Sequence, residues 1–320
     1  MPHDISLIGP LNIDLLIKGD GPSNWDALPN WDGPAQIDMT AAGSIGYTVQ
    51  NLARFGLSLS VSSCLPDDPL GLFIEDALRG AGVDVDLVHR IPGTLVGIGV
   101  YMLLFGNSKR PLIYRLPTHP LWPTEFAPGE IDRLFDARIL YQGGYLHFQD
   151  AWHGILVDLF REAKVRGLIT SLDPQFPVIA MSPPWMTALD DLLPYVDLLF
   201  CDDSEARNIA GIQNADLAAR FLLDAGVQTV IVKQGADGST IYRADGQQHQ
   251  PATVLGRVED TIGAGDAYDA GFLYATLQGW PLADCALFAS IAAGFSVLGV
   301  GGTQAIPELA VILAEMDKRR

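Results

Sequence analysis

A chain of 320 residues with 48% apolar content can build one large α/β domain or two smaller ones around a sizeable core. Twenty Lys and Arg against 38 Asp and Glu give a net charge of −18. The resulting field repels phosphate backbones and anionic bilayers, so neither nucleic acid nor a membrane surface is an expected partner. Cys64, Cys201 and Cys285 are scattered and odd in number, the histidines lack metal-ligand spacing, and Met-Pro-His-Asp lacks a basic, then apolar leader. Together these features point to a reduced, cytoplasmic protein.

The first apolar run, Ile5-Ser6-Leu7-Ile8-Gly9, reads as a core strand ending in Gly-Pro, with Asn12 and Asp14 just beyond its end. Taken alone, both polar residues are ordinary turn formers. Alternation over 14–17 and 35–39 predicts strands around a loop rich in Gly, Pro, Asp and Trp, in which Trp25 and Trp31 read as packing residues. Ala42-Gly43-Ser44-Ile45-Gly46-Tyr47 opens a helix through Arg54, closed at Phe55-Gly56. The same residues lie close to the hydrolase elbow Gly-x-Ser-x-Gly, a rival that requires an acid and a His such as His147 or His153 downstream. Residues 59–63 form the next strand, and Asp67-Asp68-Pro69 caps a helix to about Ala81.

Strands are expected over 94–105 and 112–115, around a Gly-Asn-Ser-Lys-Arg turn. Strand and helix then alternate: 137–142, 152–166, 168–173, a helix before Pro194, and 195–201. Such alternation implies βαβ units and a parallel sheet covered on both faces. Leu172-Asp173-Pro174 ends one of these strands, and Asp202-Asp203-Ser204-Glu205 follows another as an acidic helix start. Thr229 to Lys233 is a strand, Gln234-Gly235-Ala236-Asp237-Gly238 a tight loop, and Ser239 to Arg243 a hairpin strand. Cys285 to Pro307 carries no charge and is long enough to span a bilayer, but its alanines and glycines read better as a buried helix followed by a Gly-rich turn.

Asp260-Thr261-Ile262-Gly263-Ala264-Gly265-Asp266 is the most informative stretch. Small residues at a helix start let backbone N–H groups converge at the positive end of the dipole, which suits an anion. Asp266 in the first turn is a carboxylate able to take a proton. An anion hole beside a base is what phosphoryl transfer to a hydroxyl requires. The run Asp-Thr-Ile-Gly-Ala-Gly-Asp-Ala-Tyr resembles the C-terminal signature of the ribokinase-like (PfkB) carbohydrate kinases, Asp-Thr-x-Gly-Ala-Gly-Asp-x-Phe. No Gly-x₄-Gly-Lys-Ser/Thr or Gly-x-Gly-x-x-Gly is present, so the glycines from 263 to 265 would hold the phosphates.

The resemblance implies a ribokinase-like α/β fold, a single kinase domain over 1–320 with a mostly parallel central sheet flanked by helices. A small β lid would come from about residues 15–40 and 94–116. It implies Asp266 as base, with Gly263, Ala264 and Gly265 donating to the transferring phosphoryl. Asp14, with Asn12, would bind acceptor hydroxyls. Gly43 and Ser44 match the N-terminal signature Gly-Gly-x-x-x-Asn, but Ala42 replaces its first Gly and Tyr47 its Asn, which changes the pocket. Tyr114-Arg115 resembles a pair that meets a substrate carboxylate in relatives acting on sugar acids. Glu205 matches the family's Asn-x-x-Glu near Mg²⁺, with Asp202 in place of the Asn. Lys233, Gly235 and Gly238 would lie along the nucleotide, and Ser290 beside its base. Gly301 to Pro307 resembles the closing Gly-Ala-x-x-x-x-Pro, where some members hold K⁺.

The expected reaction is ATP-dependent phosphorylation of a small sugar or sugar-like alcohol. A nucleoside acceptor, with Tyr47 stacked on the base, is the alternative, as is a non-catalytic ligand-binding relative. A homodimer through the lid would follow by analogy.

Overall fold

The computed structural model describes residues 2–19, 21, 24–104, 113–123 and 125–320. β1 (His3–Ile8) is the core strand expected, and β2 (Asn12–Gly19) leaves it after Gly-Pro to enter a second sheet. β3 (Ala35–Ala42) returns antiparallel to β2 and leads into α1 (Gly46–Arg54). β4 (Leu59–Pro66) is buried throughout, and Asp68 caps α2 (Pro69–Gly80) by accepting from the Gly71 N–H at 2.7 Å, as the sequence predicts. β5 (Asp84–Ile91), which periodicity alone did not single out, forms an edge of the main sheet. β6 (Gly97–Leu103) and β7 (Ile113–Arg115) complete the small sheet in the order β3-β2-β6-β7. The turn expected at 106–110 lies outside the described residues.

After α3 (Glu130–Leu134) the predicted alternation follows: β8 (Ala137–Gly143), α4 (Ile155–Val165), β9 (Ile169–Asp173) and β10 (Leu198–Asp202). The helix expected before Pro194 is instead two short 3₁₀ segments, Trp185–Ala188 and Leu193–Tyr195. Pro183, Pro184 and Pro194 remove the N–H donors that a continuous helix would need. α5 (Asp203–Ala210), α6 (Ala215–Asp224), β11 (Thr229–Lys233), β12 (Ser239–Arg243) and β13 (Gly246–Gln250) come next. The chain closes with α7 (Ala264–Leu277), α8 (Leu282–Ser296) and α9 (Leu309–Asp317). No helix among the described residues is long and apolar enough to cross a membrane, so the uncharged 285–307 stretch is α8 and a Gly-rich turn.

The main sheet runs β13-β12-β11-β10-β9-β8-β1-β4-β5, parallel except for β12 and β13. Strand alternation divides its side chains between two cores. Ile5, Leu7, Ile139, Tyr141, Phe200 and Ile231 face one apolar layer with α1, α7 and α8. Ile8, Leu140, Leu199, Val230 and Val232 face the other, with α4, α5 and α6. The small sheet packs at its root through Leu16, Ala42, Tyr47, Leu103 and Ile262. The three cysteines are free and buried.

α7 and α8 cross closely because Gly271 presents no side chain to α8. A Cβ there would come 2.8 Å from the Ala289 Cα and 3.2 Å from the Ala292 Cβ. Gly271→Ala therefore sets a helix-propensity gain of about 1 kcal/mol against an overpacking cost of about 1–3 kcal/mol. Net destabilisation in urea unfolding is the expected result; a net gain would mean that the two helices part without cost.

Candidate active site

Three consecutive parallel strands end at one cleft. Asp173 closes β9, Asp202 closes β10 and Lys233 closes β11, with Asp202 level with Lys233 across the sheet. Carboxyl ends of parallel strands are where open α/β sheets leave room for ligands. The cleft holds about 630 Å³, and the first turn of α7 forms its far wall through Gly265 and Asp266.

Gly263 caps α7 with φ +71°, in the left-handed region. A Cβ there would meet the Gly302 Cα at 3.0 Å and the Tyr47 ring at 3.2 Å, so the motif needs glycine for both conformation and space. The first N–H groups of a helix have no partner within it, which leaves the Gly265 end of the turn facing the cleft as a donor site. Of the three expected donors, Ala264 turns its N–H toward the Thr261 carbonyl at 3.4 Å. Asp266 accepts a hydrogen bond from the Thr48 hydroxyl at 3.2 Å. Burial pushes the Asp266 carboxyl up to about 7, against the pull of Lys233 and with a further push from Asp173.

Lys233 does not point freely at a phosphate position. Its ammonium donates to Asp173 Oδ2 at 2.8 Å and to both oxygens of Asp269, at 3.0 and 3.1 Å. Asp269 stands one helical turn after Asp266 on α7 and is fully buried. The two carboxylates hold the lysine charged despite its burial. Asp269 was not singled out from the sequence; its spacing of three from Asp266, which puts both on one helix face, was the available signal.

Asp202 and Glu205 form a capping box. Asp202 Oδ1 accepts from the Glu205 N–H and Glu205 Oε2 from the Asp202 N–H, both at 2.7 Å. The helix-cap reading of the acidic start is what these bonds show, and the same two residues line the cleft. Burial, then Asp173 and Asp202, push the Glu205 carboxyl well up from its ordinary value. Arg207, also at the cleft, is paired with Asp203. The carboxylate neighbours of Glu205, Asp173 and Asp202, are oxygen donors of the kind a hard divalent cation takes, while Lys233 at the same cleft offsets part of their charge. Gly235, with φ +60° and open space around it, lines the cleft. Gly238 makes its close approach elsewhere: a Cβ would strike the Gln250 carbonyl at 2.0 Å, so this glycine closes the hairpin onto β13 and its neighbour Ala252. Ser290 is engaged with the 251–253 segment, accepting from the Thr253 N–H at 2.9 Å and donating to the Pro251 carbonyl at 3.2 Å.

On the other side of α7 lies the lid root. Asp14 is 4% exposed; its Oδ1 accepts from Asn12 Nδ2 at 2.8 Å and its Oδ2 from the Tyr47 hydroxyl at 2.7 Å. Burial pushes its carboxyl up to about 6, while the two donors pull it down. Gly43, with φ +98°, lets the chain pass against Asn12, since a Cβ would sit 2.6 Å from Asn12 Oδ1. The Ser44 hydroxyl bonds His147 Nδ1 at 3.1 Å, while His147 Nε2 donates to the Phe176 carbonyl at 2.9 Å. The serine and histidine of the elbow-like rival thus meet, but the outer nitrogen rests on a backbone carbonyl where a triad would place an acid.

Two expectations are corrected here. The Tyr47 ring is only 4% exposed and lies against Gly263 and Gly302, so it offers no face on which a base could stack. Arg115 is engaged with the backbone and is not a free cation: its Nε and Nη2 donate to the Val96 carbonyl at 3.2 and 2.9 Å. Alternation along β7 sends the adjacent Tyr114 instead into an apolar recess of about 180 Å³ beside Asn12 and His147. At the Gly-rich turn, Asp260 joins the two segments between which some family members hold K⁺, accepting from the Ile262 N–H at 2.9 Å and the Gly301 N–H at 3.0 Å.

A family model described as pfkB family carbohydrate kinase matches residues 3–309. The chain is 31% identical over 260 residues to the 2-dehydro-3-deoxygluconokinase of Thermoproteus tenax, covering 79% of this chain and 78% of that one. It is 27% identical over 275 residues to the 5-dehydro-2-deoxygluconokinase of Shouchella clausii, covering 83% of each. Its fold is similar to that of Arabidopsis thaliana ribokinase complexed with ribose and ATP, with a TM-score of 0.78, 22% identity and 99% of both chains covered.

Replacing Lys233 with Met leaves the Asp173 and Asp269 carboxylates buried without their cation. Removing one partner of such a group costs about 3–5 kcal/mol. Burial already raises the Asp269 carboxyl above its ordinary value, so its charged form disfavours the fold at high pH and protonation relieves the strain. The stability deficit of Lys233→Met, measured by urea unfolding, should be largest near pH 8 and shrink toward pH 5. A pH-independent deficit would remove the charge from the argument.

Proposed function

The chain belongs to the pfkB family of carbohydrate kinases, and on that premise we propose that it moves the γ-phosphoryl group of Mg·ATP to a hydroxyl of a small sugar or sugar-like acceptor. The observation that carries this reading is Asp266 in the first turn of α7, facing the cleft beside Gly265 and held by Thr48. A carboxylate in that position can take the acceptor's proton as its oxygen attacks. The Gly263–Gly265 turn presents backbone dipoles to the charge that develops on the phosphoryl oxygens. They are fixed by packing and need no reorganisation as the charge moves.

As the acceptor oxygen bonds the γ-phosphorus, its proton passes to the Asp266 carboxylate, the bond from that phosphorus to the β,γ-bridging oxygen breaks, and ADP leaves alongside the phosphate ester. Thr48 orients the base, and Lys233 keeps its carboxyl from rising further. Gly235 supports close passage of the nucleotide at the opposite wall. Both cations at the cleft, Lys233 and Arg207, are already committed to carboxylates. The polyphosphate charge therefore falls to backbone donors and a divalent ion. Glu205 and Asp202 are the residues that would hold Mg²⁺, and when bound it would offset the charge of the nucleotide oxygens.

Asn12, Asp14, Gly43 and Ser44 form the acceptor side, joined to the base through α1. A nucleoside acceptor is the second reading. The apolar recess beside Asn12 favours it, because a heterocycle would find Leu11, Leu116 and Leu146 as walls. ADP release against panels of sugars, sugar acids and nucleosides separates the two.

Asp266→Asn should keep the fold and lower kcat by a factor of about 10²–10⁴. The base works ionised, and burial raises its pKa to about 7, so kcat/KM of the wild type should fall as pH drops through that value. Undiminished turnover in the variant, or a flat profile between pH 6 and 8, would remove Asp266 from the role of base.

A further inference from the structure

His153 stands near the end of the connection from β8 to α4, and Asp190 and Asp191 lie between the two short 3₁₀ segments. None of the three lines the cleft or the recess. Far apart in the chain, they meet at the surface. His153 Nδ1 donates to Asp191 Oδ2 at 3.0 Å and lies 3.9 Å from Asp190 Oδ1. One ligand atom from each residue falls within 4.8 Å of the other two. Two ligands bound at about 2.1 Å to one ion can stand up to about 4.2 Å apart. The imidazole already has that relation to both carboxylates.

A second observation comes from beneath the group. The Tyr145 phenol is fully buried, and its hydroxyl approaches the His153 backbone without closing a hydrogen bond. Burial pushes this phenol up, and Asp191 and then Asp190 add to the push, so both carboxylates act on its hydroxyl. Asp191 Oδ1 is likewise closed to solvent and has no partner. A buried donor and a buried acceptor are thus left open beside the same imidazole and carboxylates, where burial normally enforces pairing. Ligating carboxylates take a further hydrogen bond on the oxygen that the ion leaves free. The Tyr145 hydroxyl is the buried donor at hand for Asp191 Oδ1.

We propose that His153, Asp190 and Asp191 form a site for a divalent transition ion, Zn²⁺ in the first place, separate from the Mg²⁺ position at the cleft. One imidazole beside two carboxylates suits such an ion, whereas Mg²⁺ and Ca²⁺ take oxygen alone. Two carboxylates also match the ion's double charge. Binding through Nδ1 displaces the proton now shared with Asp191, and the ring carries its proton on Nε2 instead. The ion would tie the connection after β8 to the segment around Asp190. That connection also carries Leu146, His147 and Gln149, which line the recess beside Asn12, so the ion would hold one wall of it in place.

The test is calorimetric titration of the full chain with ZnCl₂, MgCl₂ and CaCl₂, near neutral pH and without nucleotide. Wild type should bind one Zn²⁺ at this site at least about tenfold more tightly than Mg²⁺ or Ca²⁺. His153→Asn removes the imidazole, and asparagine tolerates the left-handed backbone there, φ +56°. This variant and Asp190→Asn should each weaken the Zn²⁺ site by about tenfold or more. Glu205→Gln, which alters the cleft, should keep it. No saturable Zn²⁺ binding overturns the proposal, as does equal affinity in wild type and both variants, or tighter binding of Mg²⁺ or Ca²⁺. So does a Zn²⁺ site that is lost in Glu205→Gln and kept in His153→Asn. If His153→Asn does not fold, by its thermal melt, Asp190→Asn decides, since the Asp190 side chain is 58% exposed and packs against little.

Discussion

One buried ammonium ties the site together. Lys233, at the end of β11, binds Asp173 from β9 and Asp269 from α7. A lysine in that position would shed its proton if it were unpaired, and either carboxylate alone would resist ionisation. Joined, they lock the first turns of α7 to the carboxyl edge of the sheet. Asp266, one turn earlier on the same helix, takes its direction from that lock. Because the ion group is formed between separate elements, it gives the site a defined geometry more than it adds stability, since burying these charges offsets much of their attraction.

α1 performs the complementary task on the other side. Consecutive residues of its first turn reach two different carboxylates: Tyr47 donates to Asp14 and Thr48 to Asp266. Asp14 and Asp266 therefore share one rigid support, which limits how far they can move relative to each other. Gly263 and Gly302 let the Tyr47 ring slide between the two turns. The glycine-dependent turns at 263 and 302 thus converge on a single aromatic side chain.

The cleft is acidic, and that constrains the chemistry. Asp173, Asp202, Asp203, Glu205 and Asp266 surround it, while its two cations are already paired. A nucleotide polyphosphate would not enter such a site without a metal ion and backbone donors to meet it. The overall charge of −18 points the same way: the protein attracts cations and relies on local dipoles for anions.

The alternation of apolar strands and helices from residue 137 onward, the capping of α2 by Asp68, and the glycine turn before Asp266 were all legible in the sequence, because each depends on local chemistry with a known period or spacing. The helix expected before Pro194 was not, because three prolines divide it into short segments. β5 escaped because it is an edge strand paired with β4, and with only Val85 and Leu87 buried its apolar alternation is too short to stand out. What tertiary structure alone decided is partnership. Sequence marks Lys233, Gly238, Ser290, Arg115 and Tyr47 as polar or permissive residues near the right motifs, but it cannot say which of them turn toward the cleft. Lys233 turns to two carboxylates, Gly238 to the backbone of β13, Ser290 to the 251–253 segment, Arg115 to the Val96 carbonyl and Tyr47 to Asp14. Those choices are made where strands and helices from distant parts of the chain meet. There a buried donor or acceptor must find its partner among whatever the fold has brought within about 3 Å.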